Sequence, residues 1–358
     1  MKQRLASPGP QRGLTLVELM VAVAIALFLS AAVAGLYVSA KGILRHENAL
    51  ARMQSDARLG LAVMGQAVRN AGFTGCSTAL SGAPPVLATP NALGAHWNLL
   101  DPIGIRRGQS GGWQSFDADI PAQALAASDV LRTVGTATHK SLSQLGSNDV
   151  IVASDCSQTY VARFVHLESC TAPAGSEISG FSPAGQKTCG LDLLKRDARV
   201  LPAANDLFFI GRLQGSSEQG GATGLIHCSS SLIRPEPEDF KANDLSCRML
   251  AEGAVDLKIE AIYGPVSAAV EQRAPGPDEF WNTAASQGGK AAPESSPIRA
   301  VEVRLLMASA PGMGALSLAP QSYAFYRDGN GEPVRSTAAD RRLYREFSAV
   351  FTLRNRVE

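Results

Sequence analysis

Residues 14–40 read LTLVELMVAVAIALFLSAAVAGLYVSA, 27 residues containing one carboxylate, Glu18, and no base. A run this long and this apolar cannot be a solvated loop, and strands are far shorter. As a helix rising ~1.5 Å per residue, residues 14–38 span ~37 Å, enough to cross a hydrocarbon core of ~30 Å. Lys2, Arg4 and Arg12 precede the run with no acid among them. That asymmetry predicts a cytoplasmic N-terminus, with the rest of the chain on the far side of the membrane. Three readings compete. The segment is a secretory signal peptide cut at Ala32-Val33-Ala34, a permanent anchor, or something that uses Glu18. A carboxylate inside an apolar helix costs roughly 2.5–3.5 kcal/mol on insertion scales, so it marks a function and needs a partner.

Gly13 followed by Leu14-Thr15-Leu16-Val17-Glu18-Leu19 resembles the class III signal sequence of type IV prepilins and type II secretion pseudopilins. The resemblance implies that a prepilin peptidase cuts between Gly13 and Leu14 on the cytoplasmic side and that the new amine of Leu14 is then methylated. Glycine suits such a site because the backbone there is unencumbered. That family most often has Phe after the cut, where this chain has Leu14. In a bundle of such helices, Glu18 of one subunit can meet the Leu14 amine of its neighbour. Pairing offsets desolvation costs that neither ion could bear alone. It would also set the axial register between subunits, as one buried polar residue does in a coiled coil.

Beyond residue 40 the apolar pattern becomes one-sided. Ile43, Leu50, Met53, Ala57, Leu61, Met64 and Val68 recur at helical spacing, with Arg45, Glu47, Arg52, Asp56, Arg58, Gln66 and Arg69 on the other faces. The prediction is one continuous helix of ~57 residues, ~85 Å long, stopping at Gly72. After it the chain turns to short β-like runs. These are Val130–Val134, Asp149–Ala153, Thr159–His166, Asp206–Ile210, Leu225–Cys228, Val255–Tyr263, Ala300–Met307, Ser322–Tyr326 and Phe347–Leu353. The alternation in Leu257–Ala261 and Val301–Leu305 predicts one wet face on each strand. Asp328-Gly329-Asn330-Gly331 reads as a turn between strands, and Gly264–Pro297, rich in Ala, Gly, Pro and Ser, as a long surface loop.

Several of these segments are similar to PilW-type minor pilins: Asn70-Ala71-Gly72-Phe73-Thr74-Gly75-Cys76, Ala251–Ile259, Ala300–Leu306 and the closing stretch Arg345–Arg356. Residues 77–250 match only loosely, and the short elements are shared with J-type minor pseudopilins. The resemblance implies an α+β, type IV pilin-like fold, with a long transmembrane and spine helix packed on an antiparallel β-sheet carrying long disulfide-tied loops. The layout is a leader at 1–13, a transmembrane and polymerisation helix at 14–40, an amphipathic spine at 41–71 and a periplasmic β-rich domain at 72–358.

The six cysteines, Cys76, Cys156, Cys170, Cys189, Cys228 and Cys247, all fall on the outer side of the membrane. An even count in an oxidising compartment makes all six disulfide candidates, each bridge worth roughly 2–4 kcal/mol. Cys76 would tie the helix end to the sheet. His166 and His227 lie near Cys170 and Cys228, but without a C-x-x-C pair no metal site is predicted, and no cofactor. Neither H-E-x-x-H nor a P-loop occurs, and the five histidines pair with no nucleophile. The chain reads as non-enzymatic.

Composition agrees with a divided molecule. Lys plus Arg total 33 against 32 acids, so no basic footprint for nucleic acid exists. Charged residues are 18% of the chain, below the ~25% of an average soluble domain, partly because residues 14–40 hold so few. The resemblance implies a structural subunit of a type IV pilus, acting with other minor pilins and the major pilin in a priming or tip complex. Its partners would include the prepilin peptidase, the inner-membrane assembly platform and membrane lipid. It would sit as a single-pass inner-membrane protein before entering the pilus. The alternative is a minor pseudopilin of a type II secretion system.

Overall fold

Thr15 starts the long helix α1 (Leu16–Asn70) by accepting the Glu18 N–H on its side chain. The helix runs 55 residues without a break and closes at Ala71, whose N–H reaches the Val68 carbonyl at 3.2 Å. Gly72, at φ 69°, follows as the stop. The computed structural model of the chain describes residues 15–73, 102–108, 124–125, 127–136, 150–154, 159–164, 181–182, 199–212, 223–230, 246–263, 272–273, 298–310, 320–327 and 332–353.

The first sheet contains β1 (Ile103–Arg106), β2 (Val130–Thr136), β3 (Val150–Ser154), β4 (Thr159–Phe164), β5 (Phe181–Ser182), β6 (Arg199–Arg212), β7 (Thr223–Ser230) and β8 (Ser246–Glu252). All its pairings are antiparallel. The 14-residue β6 organises it. Residues 199–202 pair with β3 and residues 203–208 with β2, while β7 occupies residues 205–212 on the other side. Pro202 stands where β3 gives way to β2, a break in the ladder that tolerates a residue without an N–H.

The second sheet, in the order β10-β9-β11-β14, contains β9 (Ala254–Tyr263), β10 (Gln272–Arg273), β11 (Ile298–Ala308) and β14 (Tyr344–Thr352). A two-stranded ribbon of β12 (Ser322–Arg327) and β13 (Pro333–Thr337) packs on its outer face. Tyr323 stacks on Tyr344 at 4.9 Å, and the Lys258 ammonium lies 5.7 Å from the Tyr326 ring. Gly253 is the single residue between β8 and β9 and bonds to both sheets. Its N–H donates to Thr223 of β7, and its carbonyl accepts from Ala308 of β11.

The main core lies where α1 and the two sheets meet. Met53, Ala57, Leu61, Met64 and Val68 pack with Phe208, Ile210, Leu225, Leu257, Ile259, Val303, Leu305 and Phe351. Each large side chain buried this way contributes roughly 1.5–3 kcal/mol. The alternate residues of β6, Leu207 and Phe209, join Val130, Ile226 and Cys228 in a second cluster on the opposite face of the first sheet. That sheet is therefore buried on both sides.

Three expectations change. The buried stripe of α1 begins at Ala49, not Ile43: Ile43 is 47% exposed and Leu50 only half-buried, because no strand among the described residues reaches that far toward the N-terminus. The wet face predicted for β11 is dry, with Glu302 buried and Leu306 buried beside it. Arg304 neutralises that face by pairing with Glu302 and, at 2.9 Å, with Glu346. Within the predicted Gly264–Pro297 loop, Gln272 and Arg273 form β10 by pairing with Tyr263 and Ile262. The rest of that segment lies outside the described residues, as does the Asp328–Gly331 turn, although β12 and β13 on either side pair antiparallel.

Candidate functional site: the head of the helix

Thr15 and Glu18 form a reciprocal capping box. The Glu18 N–H donates to Thr15 Oγ1 at 3.3 Å. The Thr15 N–H and hydroxyl both donate to Glu18 Oε2 at 3.0 Å. Two of the amide groups that a helix start leaves orphaned are satisfied this way. Glu18 therefore has a partner within its own turn, which the sequence reading sought outside the chain; the signal was the T-x-x-E spacing itself. Both hydrogen bonds use Oε2, and Oε1 has no partner among the described residues. Gly13 and Leu14, the predicted cleavage and methylation positions, lie outside the described residues.

Along residues 16–41 every side chain is exposed, among them Leu16, Met20, Ile25, Phe28, Leu36 and Val38. Ser30, a rare polar group there, turns its hydroxyl back to the Ala26 carbonyl at 2.7 Å and so needs no outside partner. This is one helix long and apolar enough to cross a membrane. From Ala49 onward the same helix is seated in the core. Gly65 allows the closest approach, since a Cβ there would lie 2.4 Å from the Phe351 ring.

Residues 9–34 match the prokaryotic N-terminal methylation motif. The match covers Gly13, Leu14 and Glu18 together with the exposed apolar turns that follow. No curated protein matches the chain. Among solved structures, a type IV-like pilin from Thermus thermophilus aligns over 86% of this chain and 100% of its own, at 10% identity and a TM-score of 0.31. A likeness that slight assigns neither a fold nor a role. The chain thus carries a methylation motif of prepilin type at the head of a helix whose first half has no cover of its own.

The cysteines divide. Cys228 of β7 and Cys247 of β8 stand directly opposite each other and form a disulfide. Cys76, Cys156, Cys170 and Cys189 lie outside the described residues. His227, next to Cys228, is buried, stacked on Phe208 at 4.6 Å and held by Asp206 Oδ1 at 2.8 Å, which makes it a core residue. Among the described residues no group of three His, Cys, Asp or Glu side chains is placed to hold a metal ion.

Other polar side chains that organise the molecule escaped the sequence reading. Asp129, 1% exposed, binds Arg107 and accepts the N–H groups of Gly108 and Ile259, each at 2.9 Å. Asp256 lies beside it, taking the Ser128 hydroxyl and the Leu257 N–H at 2.8 Å. Burial holds the Asp256 carboxyl above the ordinary aspartate range, against the opposing pull of the Lys258 ammonium.

Proposed function

We propose that this chain is a minor pilin, made as a prepilin, cut between Gly13 and Leu14, methylated on Leu14 and built into a type IV pilus through α1. The observation that carries this reading is the two-part helix: residues 16–41 are predominantly apolar and exposed beneath the methylation motif, while from Ala49 one face of the spine is buried in the core. An exposed apolar face of that size needs lipid first and neighbouring helices afterwards. Glu18 serves twice in this reading. Oε2 caps its own helix, and Oε1 takes the Leu14 amine of an adjacent subunit, offsetting the burial of both charges.

The role is assembly with other minor pilins and the major pilin, with the prepilin peptidase and the inner-membrane platform acting on the chain beforehand. The bulk of residues 72–358 suits a terminal position better than a packed shaft, and immunogold label spread evenly along pili would argue against that placement. The mass of the mature N-terminus tests the core of the reading. A chain starting at N-methyl-Leu14 supports it; one starting at Gly35 refutes it. Loss of exoprotein secretion with normal pili in a deletion strain would assign the chain to a secretion apparatus instead.

A further inference from the structure

The second sheet ends at β14, and the hydrogen-bond phase of that strand decides what its outer edge offers. Ser309 N–H donates to Leu343 at one end, and Leu353 N–H donates to Arg299 at the other. Between them the register with β11 is unbroken. Odd-numbered residues of β14 therefore bond to β11, and even-numbered ones turn their N–H and C=O groups outward. At Tyr344 the outward pair is occupied by the Gln321 amide, at 2.8 and 3.0 Å. Further along, Glu346, Ser348, Val350 and Thr352 meet no strand among the described residues, and the last three are exposed, Val350 by 55%. Soluble proteins rarely leave such an edge flat and open.

A second feature flanks the same edge on the helix side. Arg69 of α1 lies over the Phe351 ring at 5.8 Å, and Arg345 over the Phe347 ring at 5.9 Å. Both guanidinium groups are exposed, and neither has an acidic partner among the described residues. Two rings and two cations thus line the seam beside four outward backbone positions.

We propose that the β14 edge from Glu346 to Thr352 docks an extended acidic segment of a different protein, which adds as a fifth strand and sets its carboxylates against Arg69 and Arg345. Main-chain pairing supplies affinity, and alternate side chains supply specificity. A second copy of this chain fits poorly. Antiparallel pairing of two β14 edges needs a two-fold axis normal to the sheet, which gathers Arg69 and Arg345 of both copies on one seam with no acid among the described residues to offset them.

The test uses the full-length chain in detergent micelles with two labelled peptides, one alternating Val and Glu, the other alternating Val and Lys. The Val-Glu peptide is expected to bind and to slow amide exchange at Ser348 and Val350. Val350→Pro removes only an outward N–H, so it should leave the β11 ladder intact and weaken binding about tenfold. Arg69→Glu combined with Arg345→Glu should reverse the preference between the peptides, which keeps the proposal testable if the proline variant misfolds. No binding of the Val-Glu peptide, equal binding of both, or self-association of the chain through this edge would overturn it. None of these readouts depends on cleavage at Gly13, so the proposal and the pilin reading can fail separately.

Discussion

The Asp129 carboxylate accepts the Ile259 N–H at 2.9 Å, taking the place of a neighbouring strand along β9. The imitation extends further: Asp129 N–H donates to the Leu257 carbonyl at 2.9 Å, and the Arg107 guanidinium, itself paired with Asp129, caps the Ile259 carbonyl. A loop of the first sheet so closes one edge of the second with a side-chain ion pair. Asp129→Ala would take the carboxylate from the part-buried Arg107 guanidinium and the acceptor from the Gly108 and buried Ile259 N–H groups at once, and the expected loss is about 3 kcal/mol. Denaturant unfolding of the variant beside wild type measures it. A loss under about 1 kcal/mol, the ordinary scale for a single exposed bond, would mean the edge is closed by something else.

Gly253 sits at φ 80°, and a Cβ there would lie 2.5 Å from the Ala308 carbonyl oxygen. The left-handed conformation alone costs a side chain ~1–2 kcal/mol. Gly253→Ala should therefore lower stability by at least about 2 kcal/mol, and Gly253→Asn by less than Gly253→Val. Equal melting temperatures for the alanine variant and wild type would contradict the corner geometry.

Asp256 makes stability depend on pH. Its carboxyl is held above the ordinary aspartate value of about 3.9 chiefly by burial. The folded state then binds more protons than the unfolded one, so this group's contribution is fully present below that value and is lost as pH rises through the raised one. Asp256→Asn keeps an acceptor for Ser128 and Leu257 without the charge. It should melt above wild type at neutral pH, and the difference should close as the pH drops toward the ordinary carboxylate range. A difference that stays constant across the titration would exclude Asp256 as its source.

Glu18 can be dissected by chemistry rather than by deletion. Gln in its place still serves as the third-position partner of a capping box but carries no charge. If the carboxylate meets an amine in the filament, Glu18→Gln and Glu18→Ala both insert in the membrane and both fail to enter pili. If capping alone matters, the Gln variant is incorporated and only the Ala variant fails. Counting labelled subunits in sheared pili separates the two.

What was legible in the sequence tracks how locally each feature is determined. The length and stop of α1 follow from an unbroken apolar period and a glycine, so both are legible to within a few residues, whereas the T-x-x-E cap of Thr15 and Glu18 goes unread until the helix start is seen. How far the sheets reach along it is a tertiary fact, and Ile43 and Leu50 were misplaced for that reason. Strands dense in branched residues, such as β2, β9 and β11, stood out. The first half of β6 (RVLPAA) did not, because Pro and Ala disguise a strand held by two successive partners. β8 (SCRMLAE) has the composition of a helix and becomes a strand through its pairing with β7. Asp129 looks like a turn residue in sequence; only the meeting of two sheets makes it an edge cap. The pairing of Cys228 with Cys247 likewise depends on the β7–β8 register.

Because the seat of α1 is confined to Ala49 and beyond, the helix joins the sheets as a tongue held in a clamp at one end. Tension applied along the apolar half runs parallel to that joint and loads it in shear. Met53, Ala57, Leu61, Met64 and Val68 must then slip together rather than peel away in turn, with Gly65 locked beneath the Phe351 ring as the catch. A sideways pull meets no such cooperation, so the joint is strong in the direction of the helix axis and weak across it.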